Sequence, residues 1–351
     1  MLQFVLNAYG LKSEQVTIET FGSGLINNTW TVKHDNKKYI LQRINTNVFR
    51  EPESIAANIE LIADYLKKNY PTYKFVSPVA ALNGNTLIYH EGEDYFRMFH
   101  FVEGSHTIDV VETPEQAYEA ASQFGRFTRL LDKIDISKMK TTIPDFHNLS
   151  LRYRQFLAAL GNGNPARKKE ATALIEELLG HSPITAEYEK IITDKNFVKR
   201  VTHHDTKISN VLFDENDNGI CVIDLDTVMA GYFISDLGDM MRTYLSPVSE
   251  EEHDFSKIVI REDFYEAVVT GYYNEMKDVL TKKEKDYFFY AGTFMIYMQA
   301  LRFMTDYLNN DMYYGEKYSG HNLVRAGNQV VLLQRLLEKK SKLAGRLKIE
   351  K

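Results

Sequence analysis

Apolar and polar residues alternate along the first hundred residues in a way that predicts a small β-sheet. Segments rich in β-branched and aromatic residues are separated by turn-forming residues, and they predict strands over 16–21, 29–33, 39–44, 86–90 and 95–101. One segment breaks this alternation: between residues 53 and 68 the apolar side chains recur at helical spacing behind Pro52. We therefore expect one helix laid across the sheet.

The pattern changes near Gly104, after which apolar residues recur every three or four positions and predict long amphipathic helices. These predicted helices cover residues 114–131, 151–160, 168–179, 261–277, 282–308 and 323–343. A short β-like stretch, residues 211–224, interrupts them. The expected fold class is α+β and bilobal, with a small sheet-containing N-terminal lobe (1–103) and a larger, mainly helical C-terminal lobe (104–351).

Length and composition limit the class of protein. A chain of 351 residues exceeds the usual size of one core, and its 44% hydrophobic and 26% charged residues are typical of globular proteins. The single cysteine, Cys221, excludes an intramolecular disulfide framework and favours a reducing compartment. No signal peptide and no run of ~18 apolar residues are found. We therefore expect a cytoplasmic protein with no membrane partner.

The formal net charge of −6 argues against a nucleic-acid partner. The basic cluster at 339–342 is interpreted as a solvated helix end. No obligate protein partner is inferred from the sequence.

Residues 203–224 carry the strongest chemical signal. The segment His203-His-Asp-Thr-Lys-Ile-Ser-Asn210 precedes an apolar strand, an Asp-Asn-Gly turn and a second apolar strand that ends at Asp224. Two such strands form a hairpin, so Asn210 and Asp224 should emerge side by side at its open end. An amide oxygen and a carboxylate there suit Mg²⁺.

Three further side chains belong to the same predicted site. Asp205 should point into the space beside Asn210, where it can accept the proton of a hydroxyl that attacks phosphorus. Lys207 is expected to contact the transferring phosphate, and Asp226 to be a second metal or substrate contact. The alternatives are polar residues that cap a loop and a turn, and a solvated lysine. Downstream, Asp236 precedes the helical pattern over 240–245 and is expected to cap that helix, with orientation of the loop as its alternative role.

This arrangement, His-x-Asp with Asn five residues later and a strand ending in Asp, resembles the catalytic loop and the metal-binding Asp of protein kinases. The ending Asp224-Leu-Asp226 is more similar to the aminoglycoside phosphotransferase and choline kinase superfamily. The resemblance implies a protein-kinase-like fold with a nucleotide-binding N-terminal lobe (1–103) and a catalytic and substrate-binding C-terminal lobe (104–351). It also implies ATP as co-substrate, Mg²⁺ as cofactor and a small-molecule hydroxyl as acceptor.

The predicted ATP site lies in the N-terminal lobe. Glycines between two strands let a loop approach phosphates with its backbone N–H groups, and the composition change after residue 101 marks the hinge where adenine should bind. In protein kinases the strand after the glycine loop supplies a lysine, but that position holds Gln42 here, while Arg43 should point the other way. The predicted ATP-binding residues are Gly22, Ser23, Gly24, Gln42, His100, Phe101 and Val102.

Several stretches resemble N-acetylhexosamine 1-kinases, which phosphorylate GlcNAc and GalNAc at the anomeric hydroxyl. They are 22–30, 39–47, 201–210, 222–227, 302–308 and 321–325. Gln42 belongs to that family's pattern, whereas Leu25 stands where the family has His. The resemblance implies that Asp205, Arg302 and Tyr313 contact the sugar.

Other functions stay open at this point. The same scaffold can phosphorylate choline, an aminoglycoside, homoserine or a thioribose, although Arg302 disfavours a cationic acceptor. Because the strand lysine is missing, a pseudokinase that binds nucleotide without turnover is a further alternative. A protein kinase is disfavoured, since no long activation segment separates Asp224 from the helical pattern near residue 240.

Overall fold

A computed structural model describes residues 1–22, 26–92 and 94–346. Its N-terminal part is a five-stranded antiparallel sheet in the order β1-β2-β3-β5-β4. The strands are β1 (Val16–Thr20), β2 (Asn28–His34), β3 (Lys37–Ile44), β4 (Ile88–His90) and β5 (Asp94–His100). All five predicted strands are present, and only the fourth begins later than the alternation indicated.

Two helices, rather than one, accompany the sheet. The unpredicted α1 (Leu2–Ala8) buries Val5 and Leu6 in one cluster with sheet residues such as Leu41. The predicted helix α2 (Pro52–Asn69) hydrogen-bonds to the sheet through Glu53 and Tyr95, yet its buried isoleucines belong to the larger core of the C-terminal helices. A helix of seven residues is too short to show a helical period, which explains why sequence reading missed α1.

The C-terminal part is mainly helical, as predicted. Its helices are α3 (Pro114–Leu130), α4 (Leu149–Asn162), α5 (Pro165–Glu170), α6 (Thr172–Gly180), α7 (Pro183–Thr193), α8 (Phe233–Tyr244), α9 (Glu262–Met276), α10 (Lys282–Lys285), α11 (Phe288–Leu308), α12 (His321–Glu338) and α13 (Lys340–Arg346). Three predicted helices are each divided into two: α5 and α6, α10 and α11, and α12 and α13. Their apolar period runs on across short breaks, which periodicity alone does not detect.

The centre of this part is α11, most of whose residues are buried. Helix α8 comes so close to α11 that a Cβ at Gly238 would lie 2.3 Å from the Ala291 carbonyl oxygen. This close contact fixes the position of α8, which holds the loop described below. Among the described residues, no helix has the length and apolar character needed to cross a membrane.

Two short antiparallel strand pairs enclose the segment 203–210. The first pair is β6 (Arg200–Thr202) with β9 (Met229–Gly231), and the second is the predicted hairpin of β7 (Val211–Phe213) with β8 (Gly219–Val222). The chain therefore leaves β6, passes through residues 203–210 and enters β7.

Asn58 of α2 fastens the N-terminal part to the C-terminal part. Its side chain is fully buried; Nδ2 donates to the backbone oxygens of Lys140 and Val228, each at 2.9 Å, and Oδ1 accepts from the Lys140 N–H at 2.7 Å. Because these hydrogen bonds fix α2 to the C-terminal part, they hold the sheet over the segment 203–224.

Candidate active site

The hairpin brings its two predicted metal ligands to the same end. Val211 pairs with Val222, and the N–H of Ile223 donates to the Asn210 carbonyl oxygen at 2.9 Å, so Asp224 follows directly after the residue that faces Asn210. Asp224 has a left-handed backbone (φ 58°), which Asp tolerates better than most residues. The chain then turns into a 3₁₀ helix at Leu225–Thr227, so it does not continue extended as the sequence argument for Asp226 assumed.

The side chain of Asp224 is accessible to solvent, but it lies in a cleft and protein atoms surround it on most sides. Desolvation, together with the nearby carboxylates of Asp226 and Asp205, raises its pKa to about 7, although Lys207 and Arg97 counteract this. A carboxylate in such surroundings is suited to a bound cation, which would stabilise its ionised form.

Asp205 is half-buried at the centre of the loop. Asn210 Nδ2 donates to its Oδ2 at 3.0 Å and to its carbonyl oxygen at 2.8 Å, which orients the amide oxygen of Asn210 away from Asp205. Lys207 Nζ lies 3.1 Å from the same Oδ2. Desolvation opposes the charge on Lys207, but Asp205 and Asp224 outweigh it and raise the pKa of the ammonium group.

Helix α8 holds the loop through two buried carboxylates. Asp236 accepts the backbone N–H groups of His203 at 2.9 Å and His204 at 2.7 Å, and Asp239 accepts the N–H of Thr206 at 2.8 Å. The prediction that Asp236 caps a helix is wrong: α8 begins three residues earlier, and Asp236 instead orients the loop. Burial raises its pKa to about 6, while the hydrogen bonds from His203 and His204 lower it.

Further contacts fix the loop from its other sides. His203 is fully buried and packs edge-on against Phe124, with its Nε2 at 2.8 Å from the Ile223 carbonyl oxygen, as expected of a packed scaffold residue. Tyr244 of α8 donates its hydroxyl to the Thr206 carbonyl oxygen at 2.6 Å. Asp205 is therefore presented by a loop with little freedom to move.

Asp226 and Gln42 both contact a residue that the sequence did not identify, Arg97. Its Nη1 lies 2.5 Å from Asp226 Oδ1, and its Nε and Nη2 donate to Gln42 Oε1 at 3.0 and 2.9 Å. Asn27 Nδ2 donates to the other Asp226 oxygen at 2.7 Å. The pairing of β3 with β5 could have identified Arg97, because Arg97 is directly opposite Gln42. The metal role of Asp226 stays a prediction.

Gln42 lies in β3 and His100 ends β5, while the other predicted nucleotide residues that the structure describes lie in the adjoining loops. Gly22 has φ 79°, a left-handed conformation that favours glycine, whereas Ser23, Gly24 and Leu25 lie outside the described residues. At the hinge, the N–H of Phe101 donates to the Lys38 carbonyl oxygen at 3.0 Å, and Ser105 donates to the Val102 carbonyl oxygen at 2.6 Å. These two backbone groups are therefore engaged within the protein.

Aromatic rings surround this hinge. Phe21, just before the glycine loop, meets Phe101 edge-to-face at 6.2 Å, and Lys38 lies over the Phe101 ring at 3.6 Å. The His100 ring packs against Tyr39 at 5.3 Å. Glu60 of α2 accepts a hydrogen bond from Thr86.

Arg302 and Tyr313 are brought together at a second cavity, between α4 and α11. This cavity has a volume of about 430 Å³ and is lined by both residues together with Arg152 and Tyr314. The Arg302 guanidinium carbon lies 5.9 Å from the Tyr313 ring and 5.3 Å from the Tyr314 ring. Tyr313 itself is 74% exposed.

Asp306 positions the segment that carries Tyr313. Its carboxylate accepts the N–H of Tyr313 at 2.7 Å and of Tyr314 at 2.8 Å, and Asn322 Nδ2 lies 3.2 Å from the second oxygen. The negative charge of Asp306 is thus engaged by protein donors. Desolvation and the nearby Arg302 lower the pKa of Arg152, and both guanidinium groups line the cavity.

A short chain of rings links this cavity to the catalytic loop. Arg302 lies 5.7 Å from the Phe146 ring, and Phe146 stacks on His147 at 4.5 Å. His147 Nδ1 is 3.3 Å from His204 Nδ1, and His204 directly precedes Asp205. Sequence reading missed Phe146 and His147, because their loop lies far from residue 204 along the chain and has no motif.

Two oxygen donors at the open end of the hairpin are available to Mg²⁺. In the described ranges no three His, Cys, Asp or Glu side chains converge as a metal cluster. Mg²⁺ needs few protein ligands, because phosphates and water complete its shell. Asn210, whose amide oxygen points away from Asp205, and Asp224, a carboxylate with a raised pKa, fit that requirement.

The role of Asp236 predicts the effect of Asp236→Asn. An amide can accept only one of the two N–H groups and presents an NH₂ to the other, so we expect a loss of about 1–3 kcal/mol in the free energy of unfolding. Hydrogen exchange at the amides of His203 and His204 should also accelerate. Thermal unfolding and exchange mass spectrometry measure both, with the exposed Asp64→Asn as matched control. Exchange at these amides no faster than in the control would contradict the role of Asp236.

Solved structures similar to this chain share its architecture. A spectinomycin phosphotransferase in complex with ADP and spectinomycin matches with TM-score 0.61 at 13% identity, covering 97% of each chain. An amicoumacin kinase in complex with AMP-PNP and Ca²⁺ matches with TM-score 0.59 at 15% identity, covering 99% of this chain and 94% of that one. A microcompartment-associated aminopropanol kinase matches with TM-score 0.63 at 17% identity, covering 96% of this chain and 97% of that one.

Identities this low establish the fold, and the family rests on a separate comparison. The family model described as "Phosphotransferase enzyme family" matches residues 17–269, a span that contains the sheet, the hinge, the loop 203–210 and Asp224. The expected α+β fold, with a small antiparallel sheet and a larger helical part, is confirmed. This chain belongs to the phosphotransferase enzyme family of aminoglycoside phosphotransferase-like proteins.

Proposed function

We propose that this protein transfers the γ-phosphoryl group of ATP to the anomeric hydroxyl of an N-acetylhexosamine, GlcNAc or GalNAc. The observation that carries the sugar assignment is the acceptor-side cavity, in which Arg152 and Arg302 lie beside Tyr313 and Tyr314. Guanidinium groups donate hydrogen bonds to hydroxyl and carbonyl oxygens, and tyrosine rings offer a platform to the apolar face of a sugar.

The charge of this cavity argues against a cationic acceptor. Two guanidinium groups line it, while the carboxylate of Asp306 is engaged by backbone N–H groups. A choline or an aminoglycoside would meet a net positive lining there, two guanidinium groups against one carboxylate, at a cost in binding free energy. A neutral sugar meets no such penalty.

Adenine nucleotide and a divalent cation are supported by the relatives. The spectinomycin phosphotransferase was solved with ADP, and the amicoumacin kinase with AMP-PNP and Ca²⁺. In this chain Asn210 and Asp224 would hold Mg²⁺, which supplies charge neutralisation of the phosphates when bound.

The protein's own groups then account for the rest of the mechanism. Asp205 accepts the proton of the attacking hydroxyl on Oδ1, because both contacts found within the described residues fall on Oδ2. Lys207, held at 3.1 Å from Asp205, stabilises the charge that spreads over the γ-phosphoryl oxygens. The hydrogen bonds from α8 keep Asp205 in position, so that binding brings the reactants into line.

The test of this proposal is ATP consumption with GlcNAc, GalNAc, glucose, choline, kanamycin, homoserine and methylthioribose as separate acceptors. We expect turnover with the N-acetylhexosamines alone, and a loss of about 10²–10⁴-fold in kcat for Asp205→Asn, because the near-isosteric amide cannot accept the proton. Turnover confined to choline or kanamycin would refute the sugar assignment and retain the kinase. MgATP binding without turnover on any acceptor would favour a pseudokinase.

The acceptor role of Arg302 predicts a selective effect of Arg302→Gln. Loss of a charged donor should raise the KM for the N-acetylhexosamine by about 10–100-fold while the KM for MgATP stays unchanged. Steady-state kinetics with each substrate varied in turn measure this, with Arg335→Gln in α12, which pairs with Glu338, as control. Equal changes in both KM values would contradict a role confined to the acceptor.

A further inference from the structure

The family's phosphate-binding strand lacks a lysine here, and the cleft contains a different cation. Gln42 of β3 and Arg97 of β5 are paired across the two strands, so their side chains project from the same face of the sheet. Nε and Nη2 of Arg97 donate to Gln42 Oε1, and this pair of bonds aims the guanidinium at the third group nearby, Asp226.

The contact between Arg97 and Asp226 is buried, with side chains 4% and 1% exposed. Although Nη1 lies 2.5 Å from Oδ1, neither atom makes an aligned hydrogen bond within the described residues. A buried guanidinium nitrogen without an aligned acceptor is costly, and a phosphate oxygen is the acceptor that a guanidinium suits best.

The position of the pair places it at the phosphate end of the cleft. Asp226 follows Asp224 by two residues, and Arg97 contacts Asp226, so the guanidinium lies close to the end of the hairpin that carries Asp224. From the catalytic loop, Lys207 pairs with Asp205 at 3.1 Å. Arg97 reaches the same end of the cleft from the sheet.

We propose that Arg97 binds the ATP phosphates from strand β5, in the role that a lysine of β3 has in protein kinases, with Gln42 orienting it. In this arrangement Asp226 is the counter-ion that neutralises Arg97 when no nucleotide is bound. The inference rests on the proposed function, since it requires ATP as a ligand.

A buried ion pair that only joins the two parts of the chain is the alternative. The two roles differ in their response to phosphate. A residue that binds phosphate contributes to the affinity for MgATP and not to the affinity for adenosine, whereas a structural ion pair affects both affinities alike. Binding is therefore a better readout than activity, and it needs no acceptor.

The experiment is calorimetric titration of wild-type protein and Arg97→Gln with MgATP and, separately, with adenosine. We expect MgATP affinity to fall by about 10–100-fold in the variant while adenosine affinity is unchanged. Gln42→Lys combined with Arg97→Gln returns the cation to β3 and should recover most of the MgATP affinity. Arg43→Gln, on the same strand but paired with Asp94, is the matched control and should bind both ligands as the wild type does.

Three results would overturn the inference. Unchanged MgATP affinity in Arg97→Gln removes the phosphate role, and an equal loss for MgATP and adenosine identifies a structural one. If Arg97→Gln unfolds, the folded double variant is measured instead. A double variant that binds MgATP about as tightly as the wild type supports the role, and one that does not bind MgATP contradicts it. Wild-type protein that binds no MgATP would refute the proposed function itself, whereas the first two outcomes leave it standing.

Discussion

The bond between the Asp236 carboxylate and two consecutive backbone N–H groups is the constraint on which the site depends. His204 has a left-handed backbone (φ 67°), an uncommon conformation for a residue other than glycine, and Asp236 binds the loop at this residue. Because α8 is fixed against α11 by the close approach at Gly238, the position of Asp236 is set by the core. The packing of α8 against α11 therefore determines the position of Asp205.

A second constraint is electrostatic. Burial, together with the nearby carboxylates of Asp226 and Asp205, raises the pKa of Asp224 in the cleft. Lys207 and Arg97 offset part of this charge. The negative charge that remains explains why a divalent cation and a polyphosphate suit the cleft together, since each compensates the charge of the other.

Local features of the fold and site could be predicted from the sequence. The hairpin followed from apolar runs around an Asp-Asn-Gly turn, and it brought Asn210 beside the residue before Asp224 as spacing indicated. The division of α10 from α11 could not be predicted, because the apolar period continues across the break.

Features set by tertiary contacts escaped sequence reading for a different reason. Arg97 is more than fifty positions from Gln42, and only the pairing of β3 with β5 joins them. Asp236 looked like a cap because Asp is common there, and its true partners lie in a loop more than thirty residues earlier. Neither relation leaves a trace in local spacing.

The most direct measurement of the central claim is ³¹P NMR of the product formed from MgATP and GlcNAc. The account predicts a phosphomonoester resonance coupled to the anomeric proton, together with loss of the reducing end of the sugar. A phosphomonoester at any other hydroxyl, or release of inorganic phosphate alone, would contradict it.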